Sequence, residues 1–241
     1  MRELFFPMEL SVRMVVIVAV GVFLASFLDG IAGGGGIISV PTYFLAGLPA
    51  HLALGTNKLS SSIGTAVSTA RFIRNGFVDW KLAVPSVILA LFGSALGTKL
   101  QLSMDERYLK LLLLLVLPVV AFVVLRQRKL PEERGEIEPG RQMAIVLLAS
   151  LIVGAYDGFY GPGTGTFLIL IFCGLGKLDV RTASGNVKLV NLASNVGAVF
   201  SIAGHFLGSG LAIKDGSRIV RPAILIVLVL LAIKVISELI A

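Results

Sequence analysis

Charge is scarce in this sequence, and so are cysteine and histidine. Charged residues fill 15% of the 241 positions and hydrophobic ones 56%, whereas a soluble domain carries roughly a quarter charged residues. Mean hydropathy is +0.93. A soluble core could not hide this much apolar surface, so the expected solvent is lipid. The single cysteine, Cys173, lies in an apolar segment and rules out a disulfide framework within the chain or a multi-cysteine metal site. It reads as a small buried hydrophobe. His51 and His205 have no metal-ligand spacing to any partner, so neither metal nor cofactor is expected. HExxH and GxxxxGK(S/T) are both missing, which argues against a zinc hydrolase and against ATP driving. The net charge of +7 comes without a Lys/Arg run interleaved with aromatics, so no nucleic-acid partner is expected. In a membrane protein such an excess marks basic cytoplasmic loops.

Long apolar runs are plentiful. Leu109 to Leu125 is almost unbroken, and Met143 to Gly154 and Pro222 to Ile233 are similar. A spanning helix needs about 20 such residues. Val12 to Leu28 has no small-residue cleavage pattern before a polar start, and it reads as a first span rather than a removed signal peptide. The expected fold class is an all-α polytopic membrane bundle. Spans are expected at 12–32, 52–74, 80–101, 107–126, 142–158, 181–204 and 219–240, with a remnant near 206–212. Apolar segments at 37–48 and 165–176 are too short to cross and read as half-helices or re-entrant segments.

The chain repeats itself on either side of a charged linker. The expected organisation is a first transmembrane repeat over 1–127, a linker over 128–141 and a second repeat over 142–241. Asp29-Gly30-Ile31-Ala32-Gly33-Gly34-Gly35-Gly36 is echoed by Asp157-Gly158-Phe159-Tyr160-Gly161-Pro162-Gly163-Thr164-Gly165. Gly55-Thr56-Asn57-Lys58-Leu59-Ser60-Ser61 is echoed by Gly185-Asn186-Val187-Lys188-Leu189-Val190-Asn191. After His205 the register slips, and the counterpart of Gly76 to Ala95 is missing from the second repeat: either a seventh span is truly lost or a segment is omitted there, and omission is the favoured reading, because a helical bundle rarely survives loss of an interior helix. Basic residues at span ends place the N-terminus, the 71–81 turn and the linker together on the cytoplasmic side, with Lys99, Arg107 and Lys110 opposite.

The glycine-rich breaks are the strongest chemical signal. Four consecutive glycines do not sustain a straight helix, and their free backbone groups need protein or water partners. Paired interruptions in two repeats point to a transporter substrate site. A helix starting after a break turns free N–H groups on an anion, which singles out Gly34, Gly35, Gly163 and Thr164. Close helix packing through small residues is the structural alternative. Lys58 and Lys188 are repeat-related, with Asn57, Ser60, Ser61 and Ser62 around one and Asn186, Asn191, Ser194 and Asn195 around the other. A lysine well inside lipid is costly and should face a cavity or a partner, unless both lysines snorkel to an interface. The repeat-related acids Asp29 and Asp157 read as ion-pair partners of these lysines, as acceptors of a coupling proton, or as caps on the helix breaks.

With these residues in place, the sequence resembles the TauE/SafE family of sulfite exporters, the TSUP transporters. The motifs that carry the resemblance are the two Asp-Gly glycine-rich stretches, Pro41, Ala53-Leu54-Gly55-Thr56-Asn57-Lys58, Asn75-Gly76-Phe77-Val78-Asp79-Trp80 and Ala183-Ser184-Gly185-Asn186-Val187-Lys188. The resemblance implies a prokaryotic inner-membrane transporter of two four-helix repeats, with substrates such as sulfite, sulfoacetate and other organosulfonates, and thiosulfate.

Three function classes follow. The first is a secondary exporter that binds its anion between the repeats at Lys58, Lys188, Asn57, Ser61, Asn186, Asn191, Asn195 and the glycine breaks, with H+ as a candidate coupling ion. The second is a passive anion channel. The third is an intramembrane aspartyl enzyme using Asp29, Asp157 and Tyr156, which lacks the glycine-x-glycine-Asp motif of such enzymes. The sequence leaves the oligomeric state open, a homodimer included.

Overall fold

The computed structural model describes residues 11–32, 34–126 and 130–202. They are helical, with no strand among the described residues. The elements are α1 (Val12–Ala32), α2 (Gly36–Leu45), α3 (Ala50–Arg74), α4 (Trp80–Ser103), α5 (Glu106–Leu125), α6 (Pro139–Phe159) and α7 (Thr164–Gly174). An eighth helix, α8, runs over 180–202. Six of the expected spans correspond to α1, α3, α4, α5, α6 and α8, and the two short segments are α2 and α7. The remnant near 206–212, the span at 219–240 and the gap after His205 lie outside the described residues.

Val12–Gly30, Trp80–Ser103 and Pro139–Phe159 are long and apolar enough to cross a membrane. By contrast α2 and α7 have 10 and 11 residues, roughly 15 Å of helix against about 30 Å of hydrocarbon. The glycines set these breaks. Gly34 has φ +87°, and Gly161 and Gly163 have φ +98° and +86°, a region that L-residues with a Cβ avoid.

The usual soluble arrangement is turned inside out. Lys58, Asp157, Lys188 and many Ser, Thr and Asn side chains are buried. Val15, Phe23, Phe27, Ile63, Ile88, Phe92 and Leu114 are exposed. Such a surface suits lipid and would aggregate in water.

The closest helix crossing is α4 against α6. Gly93 and Gly97 lie against Leu151 and Ala155, and Gly154 and Gly158 against Ala90 and Ser94. A Cβ added at Gly154 would sit 2.9 Å from Ala90 Cα. Small residues here let the backbones approach, which is the packing logic of membrane helices. Two hydroxyls tie neighbouring backbone: Ser94 Oγ donates to Ser194 O at 2.5 Å, and Thr98 Oγ1 to Gly158 O at 3.1 Å.

Contacts at the helix ends sort them into two groups. At one end, Arg134 pairs with Asp79 at 2.6 Å. There too the linker binds the start of α8, through Gly135 N–H to Lys177 O and Val180 N–H to Pro131 O, each 2.9 Å. At the other end, Ala50 N–H donates to Glu106 Oε1 at 2.6 Å and His51 Nδ1 lies 3.1 Å from Gln101 Nε2. The first turns of α1 share this second end, because Met14 and Val15 line an apolar pocket with Ala46 and Leu48. The linker and the 71–81 turn therefore lie together as expected, whereas the start of α1 does not join them. The sequence expectation had grouped these by basic residues alone, and α2 folds back along α1 to return the chain to its starting end.

Candidate functional site

The two glycine breaks meet. A Cβ added at Gly34 would lie 2.8 Å from Thr166 Oγ1 and 3.7 Å from Gly163 Cα, and one at Gly36 would lie 3.2 Å from Pro162 Cα. The second break is pinned by Tyr156, whose hydroxyl donates to Pro162 O at 2.6 Å. At these helix starts Ile37 N–H donates to Gly34 O, Ile38 N–H to Gly35 O and Thr164 N–H to Gly161 O, and both starts border one cavity.

That cavity has about 250 Å³ of space between atoms, with room for little more than one water. Its walls include Asp29, Asn57, Ser61, Asp157, Asn191 and Asn195, with Gly34, Gly35, Gly161 and Thr164 from the breaks. Nine of the residues singled out from sequence thus converge. Gly163 caps α7 beside them.

Lys58 and Lys188 hold the acids. Lys58 Nζ lies 2.7 Å from Asp157 Oδ1, with side chains 4% and 3% exposed. Lys188 Nζ lies 3.1 Å from Asp29 Oδ2 and also donates to the Asp29 carbonyl. The pairing is crossed, because each lysine takes the acid from beyond the linker. Each lysine is the ninth residue of its helix, counted from Ala50 and from position 180, so each sits roughly 12 Å in. Both are buried, at 3% and 2% exposure, which rules out snorkelling. Neither acid hydrogen-bonds the other among the described residues, so a shared-proton acid dyad is not formed.

The remaining contacts orient these groups. Asp157 accepts from Thr164 Oγ1 at 2.8 Å and from Ser194 Oγ at 2.5 Å. Asp29 accepts the Gly35 N–H at 3.1 Å, so it also acts as a cap on the break. Ser39 Oγ donates to Asn57 Oδ1 at 2.5 Å, and Asn195 Nδ2 to Asn191 Oδ1 at 3.2 Å. No acceptor among the described residues meets hydrogen-bond geometry with Lys58 Nζ, whose contact with Asp157 is ionic. Asn186 does not line the cavity; its Oδ1 accepts the Asp79 N–H at 3.0 Å and ties the 75–79 turn to α8. Sequence reasoning missed Ser39, which stands alone in an apolar stretch with no counterpart in the other half. It also missed Gly161, whose Cα faces the Lys58 ammonium.

A family profile described as "Sulfite exporter TauE/SafE" matches residues 17–235. The chain belongs to that family. Among curated relatives of this TauE/SafE protein is the "Probable membrane transporter protein ORF9" of Sinorhizobium sp., 32% identical over 95% of each chain. A "Probable membrane transporter protein" of Haemophilus influenzae is 31% identical over 96% of this chain and 98% of its own. "Probable membrane transporter protein YfcA" of Escherichia coli is 31% identical over 89% and 87%. The Sinorhizobium alignment runs over 252 positions, more than the 241 residues here, so that relative carries residues without a counterpart in this chain. No solved structure matches the chain significantly. The TauE/SafE protein is thus a membrane transporter of this family.

Proposed function

We propose that the chain is a secondary carrier of a small sulfur-containing anion, such as sulfite, thiosulfate or an organosulfonate like sulfoacetate, and that it works as an exporter by alternating access. The observation that carries the reading is the crossed pairing of Lys58 with Asp157 and Lys188 with Asp29 at the junction of two helix breaks. Buried charge is expensive inside lipid and marks transport pathways. Because each pair bridges the two halves, movement of one half against the other must strain or exchange both pairs, as alternating access requires. The cavity walls offer an oxyanion the side-chain amides of Asn57, Asn191 and Asn195 and the Ser61 hydroxyl, with the Lys58 ammonium next to Asp157. Its small size suits a closed form that must widen around the anion, which favours a carrier over an open channel.

The halves are read as inverted repeats. Lys58 is counted in from the end bearing Ala50 and Glu106, Lys188 from the end bearing the linker, so the two pairs sit at different depths. The linker end, rich in Arg71, Arg74, Arg134, Arg141, Lys177 and Arg181, is assigned to the cytoplasm of a prokaryotic inner membrane. The contacts at the start of α1 favour the opposite side for the N-terminus, which revises the expectation from charge counting.

Purified protein in liposomes tests the carrier reading with radiolabelled sulfite, thiosulfate and methanesulfonate. Saturable flux with counterflow is expected for at least one anion, and Lys188→Ala should bring it to the level of empty liposomes. Absence of flux for all three, or flux that neither saturates nor shows counterflow, overturns the carrier.

A further inference from the structure

Charge balance at the cavity raises a problem that the anion alone does not solve. Two ammonium groups face two carboxylates, so the site is neutral before any substrate arrives. An anion entering a buried neutral site is poorly compensated. One proton taken up by a carboxylate restores the balance for a monovalent anion, halves the excess for a dianion, and releases a lysine to the anion. The two acids are not equally suited to this.

Asp157 is fully engaged. Its Oδ1 takes the Lys58 ammonium and the Thr164 hydroxyl, and its Oδ2 takes the Ser194 hydroxyl. With its side chain 3% exposed, protonation there would disturb three contacts at once. Asp29 is looser: its side chain is 18% exposed and holds one N–H and one ammonium. Lys188 also has a second acceptor, the Asp29 carbonyl, which stays in place when the carboxylate takes a proton.

Access separates them further. Asp29 borders the central cavity and also a second one with about 340 Å³ of space between atoms and room for one or two waters, which Asp157 does not line. Hydroxyls of Ser26, Ser39, Ser60, Ser61, Thr65 and Ser68 line this second cavity between α1, α2 and α3. Thr65 is 1% exposed, and its Oγ1 has no hydrogen-bond partner among the described residues. A buried unpaired hydroxyl is costly unless water or a passing ligand satisfies it. The cavity's lining on α3 runs from Asn57 to Ser68, in the direction of the linker end of that helix. On α8 the positions corresponding to Ser60, Ser61, Thr65 and Ser68 are Val190, Asn191, Asn195 and Ala198, so the run of hydroxyls is not repeated there. The other charged groups around Asp29 are Lys188 on α8, Lys58 on α3 and Asp157 on α6. From α2 and α7 the titratable side chains are Tyr43 and Cys173.

We infer that Asp29, and not its counterpart Asp157, binds a proton together with the anion, and that the proton arrives from the linker end through the hydroxyl-lined cavity. The inference rests on the carrier reading and adds a second substrate to it. In the step, a hydrated proton gives H+ to Asp29 Oδ2: one O–H bond of H3O+ breaks, one forms on the carboxylate, and neutral water is left. The Lys188 ammonium keeps its charge and turns it to the anion. Proton and anion leave together, and the Lys188–Asp29 pair closes again.

The test uses the full chain in liposomes with radiolabelled thiosulfate and methanesulfonate, neither of which binds a proton near neutral pH. Membrane potential is held at zero with potassium and valinomycin. A gradient of one pH unit should support about tenfold accumulation per coupled proton. The readout is the ratio of accumulation with and without the gradient, whatever the absolute rate. The ratio is expected to stay near tenfold in wild type and Asp157→Asn and to fall to one in Asp29→Asn. A wild type that exchanges a probe but ignores the gradient overturns the inference and leaves the carrier standing, as does an Asp29→Asn that keeps the ratio. A wild type that exchanges neither probe removes the carrier reading, and the inference falls with it. Should a variant not fold or not transport, infrared difference spectra on adding thiosulfate decide. A protonated-carboxyl band that moves in Asp29→Glu supports the inference; no band, or one moving only in Asp157→Glu, overturns it.

Discussion

Lys58 on α3 sits 2.7 Å from Asp157 on α6, in a setting almost free of solvent. The attraction offsets the loss of hydration only while both partners are present. Removing one should therefore be worse than removing both. Lys58→Met is expected to destabilise the protein by about 3–5 kcal/mol, since it strands a buried carboxylate. The double variant Lys58→Met with Asp157→Leu should recover much of that loss. Unfolding of detergent-solubilised protein, followed by heat or denaturant, measures both. Additive losses would mean that the two side chains do not form the pair that ties the halves together.

Backbone conformation offers a second check. Gly34 and Gly163 occupy φ +87° and +86°, and a Cβ at either would press on a neighbour, Thr166 or Val120. Alanine at either position should cost roughly 1–2 kcal/mol from the backbone term alone and should impair transport, because the break lines the cavity. Gly30 is the control. It lies inside α1 with nothing within 4 Å of an added Cβ, so Gly30→Ala should gain up to about 1 kcal/mol. Equal melting shifts for Gly34→Ala and Gly30→Ala would remove the argument that glycine shapes the site.

Acid titration addresses the start of α8. Burial pushes the Asp179 carboxyl up, but N–H groups of Thr182 and Arg181, at 2.9 and 3.1 Å, outweigh it and hold it below the usual carboxylate range. A carboxyl lowered by folding contributes stability that is complete above its unfolded value, near pH 4, and is lost as pH falls through the folded value. Asp179→Ala should thus cost about 1 kcal/mol at neutral pH, as loss of a helix cap does. The gap from wild type should close below about pH 4. Melting curves across that range test the sign; a gap that widens in acid contradicts it.

Much of this arrangement was legible beforehand because lipid simplifies the code. Apolar length alone located the spans now seen as α1, α4 and α6, and glycine runs located the breaks. Repeat matching picked out Lys58, Lys188, Asp29 and Asp157. It left open whether the lysines would snorkel, since that depends on which way a helix faces. Asn186 was also expected at the site; its position matches Thr56 by register, and its amide oxygen serves the turn at Asp79. Ser39 was invisible because its partner Asn57 comes from another helix. The start of α1 lies by Ala46 and Leu48, at the end away from the linker, a placement that charge counting does not read. Charge counting assumes that each apolar segment crosses or does not, whereas α1 and α2 together leave the chain at the end where it began.

That return of the chain makes sidedness the most direct test of the inverted reading. Arg134 joins Asp79 at one end, and Glu106 joins Ala50 at the other. In a Cys173→Ala background, single cysteines at Ser11, Asp105 and Glu133 would report the two faces, since all three positions are exposed. An impermeant maleimide added to intact spheroplasts should label Ser11→Cys and Asp105→Cys, and should reach Glu133→Cys only after permeabilisation. If both halves instead ran in the same sense, Ser11→Cys would share its labelling with Glu133→Cys. Lys58 and Lys188 would then lie at one depth, and the crossed pairs could not form from helices of this length.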